Sequence, residues 1–411
     1  MNEQSFAYFD GGVTSPKGFR AAGVHAGIKK EGLDMAMLFC EVPCTLAGTF
    51  TSNLVKAAPV KWDQRIVKEV KSAQAVVVNS GIANAATGAE GMACCEKTAE
   101  AVSKALGIAP DQVLTASTGV IGKQLSMDKI EGGVKDLAAS LKADRESAVL
   151  AATAIMTTDT VRKEAALKLT LGGREVTLAG MTKGSGMIHP NMCTMLAFLT
   201  TDAAISSDLM QKALSECVGD SFNMITVDGD TSTNDTCLLM ASHLAGNPLI
   251  EDEGEDYQLF KEALKALTVT LAKKMAKDGE GAEALFEVIV EEAADKESAA
   301  KMARTVAGSN LVKTAIAGHD ANWGRILCAM GYSGAFFEEE KVDLYFESRA
   351  GKIMIAQGGV STGYSEDEAT KILSEDEVTA RIVLHMGEGS AAAWGCDLTH
   401  EYITINADYR S

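Results

Sequence analysis

The stretch KGSGMIHPNMCTMLAFLTTDA, Lys183 to Ala203, places a small hydroxyl residue, Thr194, between a Gly/Ser/Pro-rich half and the apolar run Met195-Leu196-Ala197-Phe198-Leu199. A plain reading is a loop leading into a buried strand, Met195 to Thr200. A chemical reading takes Thr194 as a nucleophile. A threonine hydroxyl is too weakly acidic to act near neutral pH and needs a base, and none lies nearby in the sequence. Cutting the bond before Thr194 would supply one. Its freed α-amine, with an ordinary pKa of about 7.7–8.0, would sit on the same residue as the hydroxyl. The same hydroxyl can make the cut by attacking the Cys193 carbonyl, and water then resolves the ester. Gly184, Gly186 and Pro190 suit the strained backbone that such a shift requires.

Four other stretches carry polar groups with chemical potential. TASTGVIG, Thr115 to Gly122, follows a predicted strand, and a glycine-rich turn there can aim backbone N–H groups at an anion. It is not a P-loop, because no glycine stands at the required spacing before Lys123. DGDTSTND, Asp228 to Asp235, has alternating acidic residues, but Thr233 and Leu239 occupy the glycine and glutamate positions of a calcium loop. It reads as a turn rich in side chain–backbone hydrogen bonds, or as a polar loop supporting a site. DGEGAE, Asp278 to Glu283, reads as a helix stop with Gly279 just past the end, or as a turn that sends Glu280 into a cleft. AGHDANWGRI, Ala317 to Ile326, offers His319, Asp320 and Arg325; the plainer reading is a structural loop anchored by Trp323.

Buried strands are predicted at Ala75 to Asn79, Val113 to Ala116 and Phe286 to Val290. Leu167 to Leu171 and Arg174 to Ala179 flank Gly172-Gly173, a strong hairpin signal. Val342 to Phe346 and Lys352 to Ala356 form a second pair. Helical spacing marks Glu90 to Leu106, Met127 to Leu141 with Ser126 as cap, Tyr257 to Asp278 and Ala294 to Ala307. Strands and helices mix without strict alternation, which favours a layered α+β protein over a doubly wound sheet.

A chain of 411 residues suits two or three domains. With 56 acidic against 38 basic residues and a net charge of -18, it has no basic block for phosphates, so nucleic acid is not an expected partner. No apolar run reaches membrane-spanning length, and the start has no secretory pattern. The nine cysteines, with Cys94-Cys95 adjacent and Cys40 and Cys44 three residues apart, have neither zinc nor redox spacing. They read as reduced thiols of a cytoplasmic protein.

Taken together, the motifs resemble those of the ornithine acetyltransferase family of arginine biosynthesis, the self-cleaving glutamate N-acetyltransferases. The resemblance spans nearly the whole chain. It includes GGVTSPKGFRAAGVHAGIKK at Gly11 to Lys30, LAGTFTSNLVKAAPV at Leu46 to Val60, VVNSGIANAATG at Val77 to Gly88, STGVIG, AIMTTDT, KGSGMIHPNMCTMLAF, DGDTSTNDT, DGEGA, NWGRI and the terminal INADYRS. It implies a layered α/β/β/α-type core, an N-terminal threonine nucleophile exposed by self-cleavage, and a smaller C-terminal α/β domain. The implied division is an α chain of residues 1–193, residues 194–285 completing the catalytic core, and residues 286–411 as the C-terminal domain whose tail returns to the site.

Carried over by residue, the resemblance makes Thr194 the nucleophile, with cleavage between Cys193 and Thr194, and Thr118 and Gly119 the oxyanion hole. Substrate contacts fall on Thr157 (in preference to Thr158), Lys183, Thr194, Glu280, Asn406 and Ser411. Cys193, Ile82, Glu283 and the final serine depart from the family pattern, and Glu283 is expected to change charge near the substrate. The implied reaction is ping-pong acetyl transfer from N-acetylornithine to glutamate, without metal or organic cofactor, by an assembly of two α and two β chains. The motifs do not separate members that also use acetyl-CoA as donor. Two rivals remain: a self-processed amidase or aminopeptidase, told apart by water rather than glutamate meeting the acyl-enzyme, and a non-enzymatic binding protein, told apart by an uncleaved chain.

Overall fold

The computed structural model describes residues 5–189 and 195–408. Strand segments in the first part are β1 (Phe6–Tyr8), β2 (Phe19–Val24), β3 (Met35–Phe50), β4 (Ser72–Ile82), β5 (Val113–Val120), β6 (Lys163–Leu171), β7 (Arg174–Lys183), β8 (Leu196–Thr201) and β9 (Thr236–Ala241). Helices α1 (Ala58–Arg65), α2 (Gly88–Leu106), α3 (Met127–Ser140), α4 (Arg145–Ala154), α5 (Ser207–Gly219) and α6 (Glu255–Lys277) lie between and after them.

Among the described residues these strands join in the order β1-β6-β7-β8-β9-β3-β4-β5, with β2 also on β3. The long β3 makes this possible. Its first half, Met35 to Cys40, pairs with β2, and its second half, Thr45 to Phe50, pairs with β9. Its register against β4 shifts between Phe39 and Cys44, so the strand changes course where its neighbours change.

The two halves of the sheet share one apolar core. Met37, Leu38, Val76 and Val77 from the first meet Met181, Leu196, Phe198, Leu238 and Met240 from the second. Helices α1 to α4 pack on β2 and β5, while α5 and α6 pack on β3, β6 and β7. The result is a layered α/β/β/α arrangement. Strand β8 is buried at every position because both of its faces are covered: Leu196 and Phe198 enter one core, Ala197 and Leu199 the other.

The hairpin of β6 and β7 turns at Gly172 and Gly173, with φ of 51° and 75°. Both central residues are left-handed, as a two-residue turn matched to sheet twist requires. Helix α6 buries Phe260, Leu264, Leu267, Leu271 and Met275 completely, each worth about 1.5–3 kcal/mol relative to exposure. Ser126 sits at the N-cap of α3, but its side chain makes no capping hydrogen bond.

A second sheet follows, formed by β10 (Leu285–Ala293), β11 (Asp343–Ser348), β12 (Gly351–Gln357), β13 (Val360–Ser361), β14 (Glu377–Val383) and β15 (Gly389–Cys396), in the order β13-β12-β11-β14-β10-β15. It carries α7 (Lys296–Gly308), α8 (Asn310–Ala317), α9 (Trp323–Gly331) and α10 (Glu366–Leu373), and ends in α11 (His400–Asp408). Helix α6 packs on β10 and β15 as well as on β6 and β7, so it joins the two sheets. No helix among the described residues is long and apolar enough to cross a membrane.

Candidate active site

One cavity gathers the ends of β5, β7 and β8, the turn after α6, the loop before β9 and the last helix. Thr118, Gly119, Thr157, Lys183, Glu280 and Asn406 all line it. Thr194, Cys193 and Ser411 lie outside the described residues. The described residues flanking the first two, Met187 and Ile188 upstream and Met195 and Leu196 downstream, stand on the cavity wall.

Thr118 and Gly119 end β5 opposite Ser80 and Gly81 of β4. Gly119 has a φ of 125°, and a Cβ there would run into the Gly81 backbone. Glycine is therefore required for the strands to close at this point. Two amides fix the same corner. Asn79 accepts the Ser117 hydroxyl at 2.6 Å and donates to the Ile82 carbonyl at 2.8 Å. Asn234 donates to the carbonyls of Ala83 and Ser117 at 2.6 and 2.8 Å. Ile82 thus serves through its backbone.

Lys183, the last residue of β7, is buried and points its ammonium at Thr157 Oγ1 at 2.8 Å and Thr118 Oγ1 at 3.4 Å. Thr158 instead pairs with Ser185, Oγ1 to Oγ at 2.7 Å. Behind Lys183 stands Asp159, 3.7 Å from the ammonium and fully buried. Asp159 also binds Lys163 at 2.6 Å and accepts the Gly184 and Thr157 amides at 2.7 and 3.0 Å. Burial pushes the Asp159 carboxyl up, but Lys183 and Lys163 together outweigh it and hold the group well below the ordinary carboxylate range.

Glu280 reaches the cavity from the turn after α6, with Gly279 just past the helix end as the sequence suggests. Its amide donates to the Ser185 carbonyl at 2.9 Å, and its carboxylate accepts Asn406 Nδ2 at 2.8 Å. Gly186 leaves room for that carboxylate, which a side chain at 186 would displace. Glu283 is exposed and off the cavity wall, with its amide on Asp397 at 2.9 Å. The expectation that it changes charge at the substrate is therefore corrected: the turn points position 280 inward and position 283 to solvent.

DGDTSTND is a supporting loop. Asp228 accepts the Met187 and Ile188 amides at 2.6 and 2.9 Å, and the Val227 amide donates to the Ile188 carbonyl at 2.7 Å. At the other end the Thr236 amide donates to the Met195 carbonyl at 2.8 Å. One loop therefore grips both flanks of residues 190–194. In the sequence the loop stands out, but Asn234, Asp235 and Asp228 do not individually, nor does Asp159 inside MTTDT. The clue was an unusual density of short polar residues beside a strand. AGHDANWGRI stays away from the cavity. Asn322 caps α9, and the Arg325 guanidinium donates to the Leu311 carbonyl at 2.7 Å, so the loop is structural. No group of three or more His, Cys, Asp or Glu among the described residues is placed to hold a metal.

Residues 20–411 match the model of the ArgJ family. The chain belongs to the ArgJ family. It is 50% identical over 397 residues to the arginine biosynthesis bifunctional protein ArgJ of Thermotoga neapolitana, covering 96% of this chain and 99% of that one. It is 51% identical over 404 residues to the ArgJ protein of Symbiobacterium thermophilum, covering 98% and 99%. Among solved structures, the ArgJ crystal structure from Bacillus halodurans is 48% identical, covers 51% of this chain and 97% of its own, and has a TM-score of 0.49. The positions that the motifs nominate, where described, line the one cavity.

Proposed function

We propose that this ArgJ-family chain transfers an acetyl group from N2-acetyl-L-ornithine to L-glutamate through an acetyl-threonine intermediate, as a step of L-arginine biosynthesis. The observation that carries the reading is the meeting of Thr118, Gly119, Lys183 and Glu280 in one cavity, beside the residue that follows Thr194.

Self-cleavage between Cys193 and Thr194 frees the amine that serves as base. The Thr194 hydroxyl attacks the acetyl carbonyl, and its proton passes to the amine. Thr118 and Gly119 hold the developing oxyanion, a contribution of about 2.7–4 kcal/mol per donor. Ornithine leaves, carrying the proton, and the acetyl group remains as an ester. The glutamate amine then attacks the ester and restores the hydroxyl. Lys183 receives a substrate carboxylate and Glu280 a substrate ammonium. This chemistry calls for no metal or organic cofactor, and acetyl-CoA is a second donor to be tested.

The family resemblance also supports an assembly of two α chains (1–193) and two β chains (194–411), with residues 194–285 completing the catalytic core and residues 286–411 forming the C-terminal domain. Reduced thiols support a cytoplasmic location. Supplying N-acetylornithine with and without glutamate tests the reaction: N-acetylglutamate must form, and acetate release at equal rates in both would refute it.

A further inference from the structure

The stretch HAGIKK, His25 to Lys30, supplies none of the described wall residues of the cavity, yet it is fastened behind that wall. Asp34 does the fastening. It is fully buried, and its carboxylate accepts the amides of Ala26, Ile28 and Lys29 at 2.6, 2.7 and 3.0 Å. Its own carbonyl accepts the Ser80 amide at 2.9 Å, which fixes the turn against the end of β4.

The Lys29 side chain then spans two parts of the site. Its stem covers Gly81: a Cβ at position 81 would come within 3.0 Å of Lys29 Cγ. Gly81 pairs with Gly119, which lines the cavity. At the other end, Lys29 Nζ donates to the Met156 carbonyl at 3.1 Å. That carbonyl and the Thr157 amide belong to one planar peptide. The amide side is held in turn by Asp159, whose Oδ2 accepts the Thr157 N–H at 3.0 Å. A cation on the oxygen and an anion on the N–H thus pin a single peptide from both ends. The residue it leads into, Thr157, presents the hydroxyl that takes the Lys183 ammonium at 2.8 Å. Lys29 is half-buried, and burial draws its ammonium below the ordinary lysine range, with Asp34 and Asp159 acting against that shift.

The geometry points to Lys29 as a positioning residue: it fixes the Met156–Thr157 peptide and the Gly81–Gly119 corner in one register, so that Thr157 aims Lys183 at the substrate beside Thr118 and Gly119. This rests on the reading of the cavity as the acetyl-transfer site. Lys29 touches no substrate and moves no proton. Replacing it by methionine keeps a stem over Gly81 and removes the head group, so the loss is confined to the carbonyl end. The peptide is then pinned by Asp159 alone, and the Thr157 hydroxyl no longer holds Lys183 in one direction.

The test is a double-mutant cycle. Lys29→Met, Lys29→Arg, Thr157→Val and the double variant Lys29→Met/Thr157→Val are assayed for acetyl transfer from N-acetylornithine to glutamate, with circular dichroism and thermal unfolding of each. Lys29→Met is expected to keep the fold and to raise KM for N-acetylornithine by about tenfold, the scale of one lost hydrogen bond to a charged group, with a smaller change in kcat. Lys29→Arg, which still donates to the carbonyl, is expected to restore most of that loss. In the double variant the two effects on KM are expected to fall short of multiplying, because both act through one hydroxyl. Effects that multiply overturn the proposal, since Lys29 then acts elsewhere. So does a wild-type KM in Lys29→Met, and so does a Lys29→Arg variant no better than Lys29→Met. If Lys29→Met does not fold, Lys29→Gln, whose shorter stem stops short of the carbonyl, takes its place in the cycle. Failure of the acetyl-transfer reading looks different: wild type itself makes no N-acetylglutamate.

Discussion

Lys163 and Asp278, 115 residues apart in sequence, form an ion pair inside the protein, with Nζ 2.5 Å from Oδ2. Through Asp159, which Lys163 also binds, this pair connects the Lys183 end of the cavity to the turn that carries Glu280. The two charges proposed to read opposite ends of the substrate thus rest on one buried network.

Asp159→Asn leaves two buried lysines without their shared carboxylate. Removing one partner from such a site costs about 3–5 kcal/mol. Urea denaturation should show a loss of that size, and substrate KM should rise because Lys183 loses its backing. An unchanged midpoint would mean that the network contributes little.

Asp159 and Asp235 respond to pH with opposite signs. The folded carboxyl of Asp159 lies below its unfolded value of about 3.9, so its contribution is present above that pH and is lost as pH falls. Asp235 lies above its unfolded value, so its contribution is full below about pH 3.9 and fades as pH rises toward the folded value. In a Thr194→Ala background, Asp235→Asn should gain stability relative to its parent between pH 4.5 and 7.5. Parallel stability curves would refute the buried, protonated state.

Gly119→Ala places a Cβ against the Gly81 backbone at a φ of 125°. We expect kcat to fall by about 10²–10³, the scale of a lost oxyanion donor, with a smaller change in KM. Steady-state kinetics of acetyl transfer separates the two parameters.

Glu280→Gln keeps a hydrogen-bond acceptor for Asn406 and removes the charge. A hydrogen bond to a charged group contributes about 1.5–3 kcal/mol, so KM for N-acetylornithine should rise by about tenfold or more. Cleavage should proceed as in wild type, because the change touches the substrate and not the processing segment. An unaltered KM would remove Glu280 from the ammonium site.

The local parts of this fold are readable in the sequence. Gly172-Gly173 announces the β6–β7 hairpin because its two residues alone decide the turn, and the stripe of α6 repeats within a few turns. The role of β3 is not readable. Its pairing with β2, β4 and β9 depends on segments up to about 200 residues away, and no local pattern records a strand that changes neighbours midway. The site divides in the same manner. Thr118, Lys183 and Glu280 stand in motifs whose composition draws notice. Asp159 and Asp235 look like ordinary loop acids until burial gives one two lysines and leaves the other with an unpaired oxygen. Conversely, His319 and Arg325 look chemical and prove structural, because their loop faces away from the cavity.

The central claim is an acetyl group carried on Thr194. Mass spectrometry of the purified protein, mixed with N-acetylornithine bearing a labelled acetyl group and no glutamate, tests it most directly. Two chains are expected, residues 1–193 and 194–411, with the label on Thr194 of the second and its passage to glutamate once that is added. A single intact chain, or label that never resides on residue 194, would contradict it.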